Sequence, residues 1–463
     1  MSLATDEEGK LLRQIILAKG GSIPIIQSYD HFIYHQFSDI LKSFEVVISS
    51  RNVIVSGVNT LFREIAVFEN PIFAKPTIND LKSDGTPRKL YPMEARRNGL
   101  SYMAQVYVTL TLYTDVGGRR EPKAGESIDR VFIGKIPVMI GSELDRLRGL
   151  PASERIKYGE SDNDPMGYFI IKGSEKVLLN IEKLRTQKIL LYEDQGDYIV
   201  RYTGQSLIDT SVVQVVENKS IIEATFDRMG IKKDNKINSI NIFYVFFALG
   251  LRQNTINQAI EIMYTFIVDN DKRKEAKRRK ELLYYLQPTI NMFLKQTTIS
   301  GVPNQPNVVD VEQLFLLFSN KFKDPEIRNS EDRPTIISNI VAIHLFRNIP
   351  IIRESNETII NSVSSKIRLF SSMIVRYIDF MNGYADLDDR DSWSNKRIVD
   401  AGNHMKTAFV HFWKKMIDTV QKRVTANTLT NALQIKSAIV QTYMTEQFIT
   451  AFSRGTWIGN RGK

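Results

Sequence analysis

The chain has 463 residues and a formal charge of +10, with 43% hydrophobic, 10% aromatic and 25% charged residues and no cysteine. That length exceeds what one compact core organises, so two to four domains are expected, and the composition is that of a globular protein, not a disordered one. The absence of cysteine excludes disulfides, thiolate zinc sites and cysteine nucleophiles from this sequence and fits a reducing, intracellular compartment. Met1 to Lys19 mixes acids and bases where a signal peptide has an apolar run. Ile242 to Leu249, the longest strongly apolar run, is far below the roughly 20 residues of a membrane helix.

Residues 13 to 43 read as helical, with Ile15, Ile16, Ile26, Tyr29, Phe32, Ile33 and Phe37 as the apolar positions, interrupted at Gly20-Gly21. Val46 to Ile48 and Val53 to Val55 are strand-like, and Lys82 to Arg88 reads as a turn. Val106, Val108, Leu110 and Leu112 alternate with Gln105, Tyr107, Thr109 and Thr111, the period of two that marks a half-buried strand. Two hairpins follow: Ile189 to Tyr192 against Tyr198 to Tyr202 around Asp194-Gln195-Gly196, then Val212 to Val216 against Ile221 to Phe226.

From Ser239 to Phe322 the chain reads as helical, and Lys272 to Lys280 (KRKEAKRRK) is a charge block, read first as a solvated face and second as a nucleic-acid contact. Ile367, Phe370, Ile374, Tyr377, Ile378 and Met381 mark an amphipathic helix over 361 to 381. Phe409, Phe412, Trp413, Met416 and Val420 mark another over 405 to 423, with Lys406, Lys414 and Lys422 mainly off the stripe. That aromatic stripe has the spacing of any packed helix and reads as core before it reads as a base-stacking surface.

Charge is uneven. Ser392 to Lys463 holds eleven Lys and Arg against Asp400, Asp418 and Glu446, a net of +8, which points to nucleic acid or to an acidic protein surface. No phosphate-cradling glycine loop is present. His31 and His35 stand four apart without the companions of a zinc protease, which favours a structural role. Asp386, Asp388, Asp389 and Asp391 enclose Arg390 and lack the glycine and glutamate of a calcium hand, so an ion-paired acidic turn is the better reading. No nucleophile, base and orienter assemble from spacing, and no catalytic or metal-binding residue is assigned.

Five segments in order resemble the second-largest, beta-type subunit of multisubunit DNA-dependent RNA polymerases: Tyr29 to Leu41 (YDHFIYHQFSDIL), Tyr91 to Val108 (YPMEARRNGLSYMAQVYV), IGKIPVMI within Phe132 to Gly149, Asp164 to Leu184 (DPMGYFIIKGSEKVLLNIEKL) and Asp388 to Gly402 (DDRDSWSNKRIVDAG). Ser453 to Gly459 (SRGTWIG) is a weaker match. Met166, Lys172 and Ser392-Trp393 depart from the family pattern, which implies a divergent member such as one from a large DNA virus, and the point in the family pattern at which the sequence stops implies a fragment or one half of a subunit split as in some archaea.

The resemblance implies an α+β, multidomain fold: a protrusion from 1 to 183 and 331 to 385, a lobe from 184 to 330, and a fork from 386 to 463. Its fork loops would fall at Asn382 to Arg390 and around Lys414 to Arg423. It implies a subunit of a nucleotidyltransferase that forms one wall of the DNA cleft and guides template DNA and the RNA–DNA hybrid. Its partners would be the largest and the smaller polymerase subunits, in the nucleus, the cytoplasm, or host cytoplasm and virion if viral. No cofactor is expected in this segment. Mg2+ would be held by the largest subunit and Zn2+ at a C-terminal end beyond this sequence.

On charge and motif together, the expected phosphate contacts are Arg390, Lys396, Arg397, Lys414, Lys415, Lys422 and Arg423, with Arg397 the first candidate for a structural ion pair instead. Glu94, Arg96 and Arg97 read as structural ion pairs before nucleic-acid contacts. A free-standing nucleic-acid-binding or assembly protein with the same fold is the alternative reading.

Overall fold

The computed structural model describes residues 21–455 except 56–57, 82–86, 117–118, 162–163, 207–209, 227–228, 230–237, 252–253, 298–332 and 351–355. The expectations for residues before Gly21, for most of the Lys82 to Arg88 turn, for 298–322 and for most of Ser453 to Gly459 lie outside the described residues. The chain divides into two compact units, one of residues 1–182 and 398–463, the other of residues 183–397.

The first unit is built on an antiparallel meander of four long strands: β1 (Glu45–Val55), β2 (Val58–Ala74), β3 (Met103–Val116) and β4 (Arg119–Pro137), hydrogen-bonded in that order. The two apolar runs at 46–48 and 53–55 belong to the single strand β1. The period-two reading of β3 holds: Val106, Val108, Leu110 and Leu112 are buried while Gln105, Tyr107 and Thr109 are half exposed, and Thr111 departs by being buried as well. The buried face is covered by the helical segment from Ile23 to Lys42, whose middle turn, Phe32–Gln36, is a π-helix. The long helix Ala401–Asn427 lies beside it. Phe37 stacks on Phe409 at 4.0 Å, and Phe68 meets Trp413 edge-on at 5.2 Å. The stripe Phe409, Phe412, Trp413, Met416 and Val420 is therefore core.

The helix is fixed at two further points. Asp400 caps it by accepting from the Asn403 N–H at 2.9 Å. The Gln421 amide pairs with both backbone groups of Val47, accepting from its N–H and donating to its carbonyl at 2.8 Å each. Val47 borders a bulge in the edge strand β1, so a side chain satisfies backbone groups the ladder leaves open there.

The second unit holds a five-stranded antiparallel sheet: β5 (Ile189–Asp194), β6 (Asp197–Gln205), β7 (Thr210–Asn218), β8 (Ile221–Phe226) and β9 (Ile240–Asn241). Both expected hairpins form, with registers Ile189↔Tyr202 and Asn218↔Ile221. Their two-residue turns, Gln195-Gly196 and Lys219-Ser220, have positive φ at both positions, the geometry that matches strand twist. Helices Ile242–Ala248, Thr255–Tyr264, Lys272–Thr297, Arg333–His344 and Asn356–Met381 complete this unit.

The amphipathic helix over 361–381 forms within Asn356–Met381 and packs against Thr255–Tyr264, Lys272–Thr297 and strands β5 to β7. Phe370 meets Phe246 at 5.1 Å, Tyr198 meets Phe380 at 4.8 Å, and Arg278 bridges Asp379 at 2.9 Å. Met381, read as part of its apolar stripe, is 40% exposed. Lys366, 1% exposed, sends its ammonium to the carbonyls of Ala342 and Leu345 at 2.6 Å and Phe346 at 3.2 Å, closing the end of helix Arg333–His344. Burial pushes that ammonium down to about 8. The first unit is discontinuous in sequence: the chain leaves it after Glu182 and rejoins it at Ile398.

Candidate nucleic-acid interface

Two of the quoted motifs meet around one guanidinium. Arg96, on the short helix Pro92–Arg97, donates from Nη1 to both oxygens of Glu160 at 2.7 and 2.9 Å and from Nε to Glu175 at 2.7 Å. Its Nη2 donates to the Tyr168 hydroxyl, which donates in turn to Asp164 at 2.6 Å. Burial is the largest single influence and works against the Arg96 charge, but the Glu160 and Glu175 hydrogen bonds and the charges of Tyr168 and Glu160 together outweigh it and hold the group protonated more firmly than usual. Gly173 lets this happen: a Cβ there would sit 2.9 Å from Gly99 Cα and 3.0 Å from the Arg96 carbonyl, and its φ is +77°. Glu94 pairs with Arg88 at 2.7 Å, while Arg97 is exposed. Arg96 and Glu94 are structural, as the sequence reading preferred.

The seven expected phosphate contacts fall into two groups on different units. Lys414, Lys415, Lys422 and Arg423 are exposed along the outer side of helix Ala401–Asn427, away from its buried stripe. They lie within a continuous helix, so the loop expected around Lys414 to Arg423 is not there; the apolar stripe running on through Met416, Val420 and Val424 keeps this stretch helical. Asp418 is the one carboxylate among residues 401–427. Burial, then the charges of Lys415 and Lys414, push His411 below its usual pKa. Arg423 also donates to the Ala438 carbonyl at 2.9 Å, which holds its guanidinium in place.

Arg390, Lys396 and Arg397 belong to the second unit. Arg390 lies over the Tyr192 ring at 4.5 Å, and Lys396 pairs with Asp391 at 3.4 Å. Arg397 is exposed, and its recorded bond is a long one, 3.5 Å, to the Lys396 carbonyl. Among the described residues no ion pair buries it.

The acidic turn is committed to structure. Asp388 accepts from Leu191 N–H at 2.8 Å, Asp389 from Asp391 N–H at 2.8 Å, and Asp391 faces Lys396. Among the described residues no group of three or more His, Asp or Glu is placed to hold a metal ion. The rings of His31 and His35 lie 5.1 Å apart and tilted by 33°. No helix among the described residues is long and apolar enough to cross a membrane. The sequence reading missed Gln421 and Lys366; the only signal for the second is a lysine one residue before Ile367, within an apolar helix face.

Comparison with known sequences matches the RNA polymerase beta subunit family over residues 23–450. The chain belongs to that family. Subunit Rpo2N of the DNA-directed RNA polymerase of Methanocaldococcus jannaschii is 26% identical over 447 residues, covering 94% of this chain and 78% of that protein. Subunit Rpo2 of Saccharolobus shibatae is 22% identical over 462 residues, 99% of this chain but 36% of the relative. A probable DNA-directed RNA polymerase II subunit RPB2 homolog of Invertebrate iridescent virus 6 is 22% identical, over 93% of this chain and 37% of that protein. This chain therefore spans most of one relative and little more than a third of the other two.

Proposed function

We propose that the chain is the N-terminal part of the second-largest subunit of a DNA-directed RNA polymerase, a nucleotidyltransferase, where it forms one wall of the DNA cleft and guides template DNA and the RNA–DNA hybrid. The observation that carries the nucleic-acid role is the helix Ala401–Asn427. Its inner side is locked into the first unit, while its outer side presents Lys414, Lys415, Lys422 and Arg423 against a single acid, Asp418. Phosphate contacts of this kind position a duplex or hybrid without reading its sequence. Arg390, Lys396 and Arg397 supply a second basic patch. Partners are the largest and the smaller polymerase subunits, and the compartment is intracellular.

By resemblance, the catalytic Mg2+ belongs to the largest subunit and Zn2+ to the C-terminal end of the second-largest subunit. The carboxylates at 388, 389 and 391 do not suit a magnesium site, since each is held by a backbone N–H or a lysine of its own surroundings. The purified 463-residue chain is accordingly expected to show no templated nucleotide addition. Polymerase assembled with it is expected to synthesise RNA, and polymerase assembled without it is not. Magnesium-dependent RNA synthesis by the chain alone, dependent on the 386–391 turn, would overturn this assignment.

A further inference from the structure

We propose that Trp393 is a stacking platform for an unpaired base of a single-stranded nucleic acid, with Lys396 and Arg397 beside it for the flanking phosphates. The proposal deepens the function given above and rests on it.

Trp393 opens a short 3₁₀ turn, Trp393–Asn395, and is 65% exposed. An indole is the largest apolar surface a side chain offers, and an exposed one that a rigid loop holds in place marks a contact surface. The loop is rigid for reasons visible in its bonds. Asp388 is tied to Leu191 in both directions, its N–H donating to the Leu191 carbonyl at 2.7 Å and its carboxylate accepting from the Leu191 N–H at 2.8 Å. Asn395 is 4% exposed. Its side chain accepts from Lys188 Nζ at 2.6 Å and donates to the Asp389 carbonyl at 2.7 Å, and its own carbonyl accepts from Arg185 N–H at 2.8 Å. Trp393 thus stands between two fixed points, Asp388 and Asn395, on the edge of the sheet at β5. Little conformational entropy is left to lose when a ligand settles on it.

The neighbours decide what that ligand is. A protein hot spot needs an apolar surround that excludes water. Trp393 has Asp391, Ser392, Ser394, Lys396 and Arg397 around it in sequence, and the Lys396 ammonium lies 6.0 Å from its ring centroid. The nearby acids do not repel a strand outright, because Asp391 is paired with Lys396 and Asp388 lies 3.6 Å from Arg376. A flat aromatic face in a polar, charge-balanced setting suits a nucleobase, whose π-face stacks without sequence preference. Bases inside a duplex are already stacked on both faces, so the ligand is single-stranded.

The test uses the full 463-residue chain. Of its three tryptophans, Trp413 is fully buried and Trp457 lies outside the described residues. With Trp457→Phe as the background, the emission that responds to ligand is that of Trp393. A 12-nucleotide single strand is expected to quench it, and an abasic strand of the same length and charge is not. Trp393→Ala is expected to weaken binding of the intact strand about 5- to 150-fold, the range for one lost base stack, with the slope of log affinity against log salt unchanged. Trp393→Phe, which keeps an aromatic face, is expected to recover most of the loss, with circular dichroism of both variants matching the parent. If Trp393→Ala binds the intact strand as the parent does, or if the abasic strand binds as tightly as the intact one, the stacking proposal is wrong. If the parent chain binds no strand at any salt concentration, the nucleic-acid reading falls and the stacking proposal with it.

Discussion

Arg96→Met is expected to destabilise the first unit by about 3 kcal/mol, the lower part of the range for breaking a buried ion pair. The reason is what remains behind. The Glu160 side chain is 5% exposed and has both oxygens on Arg96, so removing the guanidinium leaves a carboxylate with neither water nor partner. Arg96 itself keeps 18% exposure, which holds the effect at the lower end. Arg96→Lys is not conservative here, because one ammonium cannot serve Glu160, Glu175 and the Tyr168 hydroxyl in the planar geometry that the guanidinium does. Replacing Glu160 by Leu as well is expected to recover much of the loss. Urea unfolding followed by the buried Trp413 checks this, and equal losses in single and double variants would show that the pair is not what holds the two motifs together.

Gly402→Ala is expected to cost about 3 kcal/mol, although the same change in an open helix interior gains about 1 kcal/mol. A Cβ at Gly402 would lie 2.0 Å from the Ser28 carbonyl oxygen and 2.4 Å from its carbon. These are backbone atoms of the neighbouring helix, so the two helices must separate. The Gly402 N–H also donates to Ser28 Oγ at 3.1 Å, a bond available only at this close approach. Gly21→Ala is the control: its Cβ meets nothing within 4 Å, and its effect is expected to stay within about 0.5 kcal/mol. A neutral Gly402→Ala would mean that the helices do not approach as closely as described.

Local periodicity carries much of this fold. The alternation from Gln105 to Leu112, the two hairpins and the stripe from Phe409 to Val420 are legible because each pattern belongs to residues close in sequence. Membership of a unit is not local. The stripe Ile367, Phe370, Ile374, Tyr377 and Ile378 states that a helix buries one face and is silent on what receives it, which is Thr255–Tyr264, Lys272–Thr297 and strands β5 to β7. The residues around Lys414 to Arg423 show a tension: an offset along the family pattern suggested a loop, while the helical periodicity of the same residues was the better guide. The cations Lys414, Lys415, Lys422 and Arg423 stand out in the sequence by charge and motif together. Trp393 departs from the family pattern, and the turn that carries it is held by bonds from Asn395 to Arg185 and Lys188, about 200 residues away in sequence.

The central claim is that the outer side of helix Ala401–Asn427 binds phosphates. The most direct measurement is binding of a short RNA–DNA scaffold over a series of salt concentrations, in the assembled enzyme. Replacing Lys414, Lys415, Lys422 and Arg423 together by Ala is expected to weaken binding for all sequences alike and to flatten the slope of log affinity against log salt by about three, since each phosphate contact contributes about 0.7 to 0.9. The comparison is the basic block Lys272 to Lys280 on helix Lys272–Thr297, where Lys277, Arg278 and Arg279 are already paired with Glu281, Asp379 and Glu275. Neutralising that block is expected to leave the slope nearly unchanged. A slope untouched by the four helix substitutions but abolished by neutralising residues 272–280 would contradict the account.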